Sequence, residues 1–288
     1  MSAVAIDRLE ADKQAAQAFL DKQAARLPVG SEGLVPFSTS FQSGGTIEID
    51  PLESRLARMR SGVLTSARLI SKQLEGKDYQ PWMLTLTYRP GDEWQPHHIS
   101  DCVKSLRKWA KDDLFKLRYI WVAEIQEGRW QKGESLLGEC VHYHLLIWIP
   151  SYLEPPKLDQ AGLWPWGMTQ RIKVKAPLRY ITKYASKGSD IGFPKGLRIH
   201  GVGGLTAADR NHRTWWLMPR WVRTIFNERE KPRRASGGGI ISRLTGEWVP
   251  SIWKVSLKRG AVFVQIRNGI SEFFSSERLN LLQAAGLI

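Results

Sequence analysis

The sequence has little cysteine and no long apolar run. Cys102 and Cys140 are the two cysteines among 288 residues, too few for a disulfide framework or a cysteine-rich zinc module. No stretch reaches the roughly 18 apolar residues that a membrane helix needs, and residues 1–28 include acids where a signal peptide would be apolar. We therefore expect a protein of the reducing cytoplasm with no membrane partner.

The sequence also lacks a nucleotide-binding loop. The glycine-rich stretch Arg198 to Gly204 does not have the Lys-Ser/Thr pair or the strand-loop-helix context of a phosphate loop. We interpret it as a turn. No other Walker motif occurs in the chain, so we expect no fused helicase.

Positive charge is what the chain has in excess. Its formal net charge of +14 indicates a polyanionic partner, and its thirteen tryptophans offer rings on which bases stack when they are exposed. Trp164 and Trp166, in a proline-rich crossing, are candidate DNA contacts. Arg220 and Arg223 are further candidates, because they alternate with aromatic residues, although core packing also explains that pattern.

The stretch from Val141 to Ile149 is typical of a buried β-strand. Side chains alternate between the two faces of a strand, so His142 and His144 lie on one face and Tyr143 on the other. Two imidazoles at alternate positions form a preformed pair of ligands for a divalent cation. The alternative is that both histidines are hydrogen-bonded core residues.

Such a cation needs a further ligand that donates oxygen. The apolar run from Tyr119 to Gln126 contains one acid, Glu124, and a carboxylate within a strand is costly to bury unless it binds something. We predict Glu124 as the third ligand, with Gln126 on the same face as a weaker candidate.

The sequence around Tyr180 favours a helix with two phenols on one face. Tyr180 and Tyr184 are four residues apart, with Lys183 and Lys187 beside them and Arg179 adjacent. A phenol, whose pKa is near 10, is a poor nucleophile unless cations and a metal-polarised phosphate help it. Tyrosines at this spacing also pack into cores, so the pair indicates chemistry only together with the histidines.

These motifs together resemble the HUH endonucleases. His142-Tyr143-His144 is similar to the His-hydrophobic-His signature of that superfamily, and the stretch from Tyr180 to Tyr184 is similar to the tyrosine motif of its rolling-circle replication initiators. Leu84 to Thr87 resembles the first strand motif. The order of the motifs is that of replication initiators, and the paired tyrosines resemble the two-tyrosine initiators of phages and plasmids.

The resemblance implies a site-specific single-strand DNA endonuclease and strand transferase, which nicks and rejoins DNA through a 5′-phosphotyrosine in rolling-circle replication. It implies Mg²⁺ or Mn²⁺ as the cofactor, single-stranded or cruciform origin DNA as the partner, a separate helicase and polymerase, and the cytoplasm of a bacterial host. The alternatives are a two-tyrosine transposase and a non-catalytic DNA-binding initiator or repressor. The implied roles are as follows: His142, His144 and Glu124 hold the metal, Tyr180 attacks first, Tyr184 attacks second, and Lys183 and Lys187 offset phosphate charge.

The order of strand-like and helix-like segments predicts an α+β fold, an antiparallel sheet with flanking helices. The HUH resemblance implies the same RRM-like catalytic domain. We predict four regions along the chain: a helical and loop region in 1–78, the nuclease domain with its tyrosine helix in 79–230, a flexible basic linker in 231–239, and a hairpin-containing accessory segment in 240–288.

Overall fold

The structure, a computed structural model, describes residues 46–92, 94–126, 140–185 and 193–288. Lys187 and most of the predicted N-terminal region therefore lie outside the described residues. The described elements in chain order are β1 (Ile47–Ile49), α1 (Pro51–Leu74), β2 (Tyr79–Tyr88), α2 (His98–Asp112), β3 (Arg118–Ile125), β4 (Val141–Pro150), β5 (Gly167–Lys173), α3 (Pro177–Ala185), β6 (His200–Gly203), α4 (Ala207–Trp216), α5 (Arg220–Ile225), β7 (Arg233–Arg234), β8 (Ile240–Ile241), β9 (Trp248–Val249), β10 (Trp253–Lys258), β11 (Ala261–Ile266) and α6 (Ser276–Ala284).

A five-stranded sheet in the order β5-β2-β4-β3-β6 forms the centre of the larger hydrophobic core. All neighbouring strands in it are antiparallel. Every residue of the central strand β4 is buried, because helices cover both faces. Helices α1 and α3 lie on the side of His144, and α2 begins on the side of Tyr143. The predicted α+β fold is confirmed.

Helix α1 has the start and the apolar stripe of a helix packed on a core. The carboxylate of Asp50 accepts hydrogen bonds from the backbone N–H groups of Leu52 and Glu53, and Pro51 occupies the first turn, where no N–H partner is needed. Buried side chains then recur every three or four residues. They are Leu56, Met59, Val63, Ala67, Ile70 and Leu74.

Strand β6 corrects the interpretation of the glycine-rich stretch as a turn. Its residues pair with β3, with Gly201 opposite Trp121 and Gly203 opposite Tyr119. A Cβ atom on either glycine would overlap the ring of its partner. The glycines therefore let two large aromatic rings lie across an edge strand, which is a packing role rather than a turn role.

A second hydrophobic core lies towards the C-terminus and includes Trp221, Phe226, Ile252, Phe274 and Leu282. It begins at α5, within the region that the sequence analysis assigns to the nuclease domain. Residues 231–239, where composition predicts a flexible linker, contain β7, which pairs with β8.

The predicted hairpin is present as β10 and β11. Arg259 and Gly260 both have positive φ, of 49° and 82°, as a two-residue type I′ turn requires. Strand β11 also pairs with β1, so the accessory segment is joined to the residues that precede α1. None of the described helices has the length and apolar character to cross a membrane.

Candidate active site

The strand register gathers the predicted metal ligands on one face of the sheet, here called the histidine face. His142 on β4 lies opposite Glu124 on β3 and opposite Thr87 on β2. His144 lies opposite Thr85. Directly opposed residues in antiparallel strands project to the same face. Three strands therefore bring two imidazoles, one carboxylate and two hydroxyls to one location.

Glu124 and His144 are in direct contact. Nε2 of His144 donates a hydrogen bond to Oε2 of Glu124 at 2.6 Å, and both side chains are nearly buried. A short contact between an imidazole and a carboxylate in a shielded environment holds both groups in fixed orientations. The structure thus brings together the acid and one histidine that the sequence analysis paired.

Two threonine hydroxyls, which the sequence analysis did not identify as site residues, lie beside the imidazoles. Oγ1 of Thr85 is 3.3 Å from Nδ1 of His144, and Oγ1 of Thr87 is 3.5 Å from Nδ1 of His142. A partner at Nδ1 fixes the tautomer and orientation of a histidine and so sets what Nε2 can bind. The alternation of threonines in β2 was the available signal, but its meaning depended on the register.

The donor types on the histidine face fit a divalent cation. Two imidazoles and a carboxylate are the mixed N/O set that such ions accept, and the shielded surroundings would strengthen their attraction to it. Within the described residues, no three His, Cys, Asp or Glu side chains are already arranged as a metal site. Metal binding by His142, His144 and Glu124 therefore stays a prediction.

Helix α3 packs one of the two predicted tyrosines directly on this face. The ring of Tyr184 stacks on the imidazole of His144, with centroids 3.5 Å apart and planes inclined by 13°. Ile181 and Ala185 anchor the same helix in the core. Tyr180, one turn earlier, is 39% exposed. The two phenols thus differ in environment, one shielded beside the histidine and one open to solvent.

The environment of Tyr184 raises the pKa of its phenol above the ordinary value of 10.0. Burial is the main cause, because it disfavours the charged phenolate, and the negative charges of Glu124 and Tyr180 act in the same direction. A cation near Glu124 would offset part of this effect. The Lys183 ammonium group already lies 5.8 Å from the centre of the Tyr184 ring.

The residues predicted to contact DNA have different environments. Arg179 and Arg220 are exposed. The guanidinium of Arg223 lies 5.1 Å from the ring centre of the partly exposed Trp216, a cation–π contact at the surface. Trp166 is half-buried and stacks on His98 at 3.8 Å.

Trp164 is a correction to the list of DNA contacts. Its side chain is 0% exposed, and its indole N–H donates to the backbone carbonyl of Thr87 at 3.2 Å. A ring without accessible surface cannot stack on a base, so Trp164 is a core residue. The proline-rich segment around it suggested an exposed crossing, but the segment folds over the sheet with this ring inwards.

The histidine face is open on the β5 side. Met168 lies opposite Thr87, so it projects from the same face about 10 Å from His142, at two strand spacings. It is 70% exposed, and Ile172 on the same strand is 42% exposed. An extended chain can therefore reach the site from this side.

The fold and the site define an α+β protein with imidazoles, a carboxylate and two phenols grouped on one sheet face. Residues 81–189 match the model of a family described as replication-associated protein ORF2. The matched stretch covers β2 to α3 and so contains all of these groups, although it is less than half of the chain. The match supports a role in DNA replication, consistent with a replication initiator, and DNA as the partner. Neither curated proteins nor solved structures gave a match.

Proposed function

We propose that the protein is a metal-dependent DNA nickase and strand transferase that initiates and terminates rolling-circle replication. The observation that carries the proposal is the packing of α3 on the histidine face. Tyr184 stacks on His144, which contacts Glu124, and the whole arrangement lies in the segment similar to a replication-associated family. Nucleophile, ligands and DNA partner are thereby supported by the same residues.

The ground state of the reaction depends on orientation. Thr85 and Thr87 fix the two imidazoles, and His142, His144 and Glu124 would hold Mg²⁺ or Mn²⁺. When bound, such a cation polarises the scissile phosphate and offsets its charge. Lys183, exposed beside Tyr184, adds positive charge where the phosphate must lie.

Tyr180 is the proposed first nucleophile. Its exposed side chain can meet an incoming strand, whereas Tyr184 is shielded and has a raised pKa. The phenolic oxygen of Tyr180 attacks phosphorus, and the bond from phosphorus to the 3′ oxygen breaks. The phenol releases its proton to solvent and the departing 3′ oxygen takes one up. The 5′-phosphotyrosine keeps the energy of the broken bond for rejoining.

Tyr184 is the proposed second nucleophile, which acts after one round of synthesis. It attacks the regenerated junction and becomes linked to the new 5′ end, which releases a 3′-OH. That hydroxyl attacks the first phosphotyrosine, closes the circle and frees Tyr180. Two tyrosines one helical turn apart can serve one phosphate site after a small adjustment of the helix or the DNA.

The test uses phenylalanine, which keeps the ring and removes only the hydroxyl. We expect Tyr180→Phe to lose most initial nicking of a single-stranded origin oligonucleotide, and Tyr184→Phe to nick but fail to recircularise. The double variant should form no covalent adduct in the presence of Mn²⁺, and EDTA should stop adduct formation by the unaltered protein. The measurement is a denaturing gel shift of labelled DNA.

Tyr152→Phe is the matched control, because Tyr152 is highly exposed and lies outside α3. It should react like the unaltered protein. A covalent adduct in the double variant would place the nucleophile elsewhere and refute the proposal. If Tyr184→Phe alone abolished the adduct, the chemistry would stand with the order of the tyrosines reversed.

A further inference from the structure

A large basic cleft lies at the β6 edge of the sheet, between α2 and α4. Its volume is about 950 Å³, which is within the size range of ligand-binding sites. None of its lining residues is acidic, and seven are lysine or arginine. The basic residues that α2, its following loop and the first half of α4 contribute are Lys104, Arg107, Lys108, Lys111, Lys116 and Arg210.

The cations on α2 form one stripe along the helix. Lys104, Arg107, Lys108 and Lys111 follow the three- and four-residue spacing that puts side chains on one helical face, and all four are exposed. The stripe from Lys104 to Lys111 is about 10 Å long, which matches the rise of about three base pairs. Like charges at this spacing repel one another, so the stripe is suited to a polyanion.

The opposite wall of the cleft is held by hydrogen bonds to the core. Nε of Arg213 donates to Oγ of Ser66 at 2.7 Å, and Nη1 of Arg210 donates to the carbonyl of Leu205 at 2.9 Å. These bonds leave each guanidinium with further donors. The cleft therefore combines long, mobile lysines on one wall with fixed arginines on the other.

The cleft is separate from the active site. Tyr119, at its floor, is five residues before Glu124 on the same strand, which corresponds to about 17 Å. Its rings also serve the fold: Phe115 packs edge-to-face on Trp109, and Tyr119 lies across Gly203. Single-strand binding relies on rings available for stacking, whereas duplex binding relies on cations that neutralise phosphates.

We propose that this cleft binds the phosphate backbone of double-stranded DNA next to the nick site. The duplex contact would position the protein while the active site takes the adjoining single strand. Contacts of this kind fix register and orientation rather than sequence. The proposal extends the proposed nickase function, but its duplex-binding part can be measured without any cleavage.

The test is the triple variant Lys104→Gln, Lys108→Gln and Lys111→Gln, with Lys77→Gln, Lys254→Gln and Lys258→Gln as a control of equal charge change at exposed positions outside the cleft. Binding to a short random duplex and to a single strand of equal length is measured by fluorescence anisotropy over a salt series. For the cleft variant, the slope of log affinity against log salt should fall by up to about 2.7, at about 0.9 per phosphate contact, and duplex affinity by at least about tenfold. Adduct formation with a single-stranded oligonucleotide should be unchanged, and circular dichroism should show an intact fold.

Two results would overturn the proposal. In the first, the cleft and control variants lose equal duplex affinity, so only net charge matters. In the second, single-strand affinity falls as much as duplex affinity, so the cleft does not select duplexes. If the unaltered protein forms no adduct, the nickase function fails, while the comparison of cleft and control variants still decides the duplex site.

Discussion

Replacement of Trp164 distinguishes a core residue from a DNA-stacking residue. The ring is wholly buried, and it meets Tyr88, Tyr143 and Trp166 edge-to-face at centroid distances of 5.0, 6.0 and 5.1 Å. Its indole N–H also donates to the Thr87 carbonyl. Thr87 is the residue whose hydroxyl lies beside His142, so the loss of Trp164 would disturb the site as well as the core.

The magnitude follows from these contacts. Trp164→Ala removes a fully buried indole and leaves a cavity, so it should cost about 3–5 kcal/mol of unfolding free energy. Trp164→Phe keeps most of the ring but leaves the Thr87 carbonyl without its donor, which should cost about 1–3 kcal/mol. A stacking residue would behave differently, since alanine there would cost about 1–3 kcal/mol of single-strand binding with little effect on stability.

The assay is urea unfolding followed by circular dichroism, because thirteen tryptophans make fluorescence difficult to assign. Single-strand affinity is measured on the folded variants. Trp248→Ala is the control, since Trp248 is 49% exposed and should cost clearly less stability than Trp164→Ala. A stability loss below about 1 kcal/mol for Trp164→Ala, far under the cost of a core cavity, together with weaker DNA binding, would refute the reasoning.

The remaining predictions concern the histidine face. Glu124→Gln should weaken Mn²⁺ binding by about 10- to 100-fold in a calorimetric titration, and an unchanged titration would move the third ligand elsewhere, with Gln126 next in order. Tyr184 should titrate above its ordinary pKa of 10.0, and Glu124→Gln should lower that pKa only in part, because burial is the larger cause; NMR of ring-labelled tyrosine, with Tyr184→Phe for assignment, measures both. Since the folded state raises this pKa, its contribution to stability is present below pH 10.0 and is lost as the pH rises through the raised value.

Much of the fold and site follows from local patterns. Alternation in β4 predicts that His142 and His144 share a face, and the structure has both on the face that meets Tyr184. The single acid in the apolar run predicts Glu124 as their neighbour. The hairpin follows from two alternating runs joined at Arg259 and Gly260. These features depend on strand periodicity and turn chemistry, which are properties of short segments.

The features that sequence analysis missed depend on contacts between distant segments. The burial of Trp164 depends on how its segment folds over β2, and the role of Gly203 depends on the ring of Tyr119 in another strand. The basic cleft forms because α2 meets the residues around Arg213, about a hundred positions later. Composition showed an excess of positive charge, but not where the fold would concentrate it.

The open side of the histidine face has a consequence for self-association. Strand β5 is the outermost strand of the five-stranded sheet, so one side of its backbone has no strand neighbour among the described residues. Exposed edges of this kind invite pairing with another copy of the chain. Arg171 and Lys173 on β5, together with the net charge of +14, oppose such pairing by repulsion. High salt screens that repulsion, so conditions that weaken DNA binding would also favour edge-to-edge aggregation.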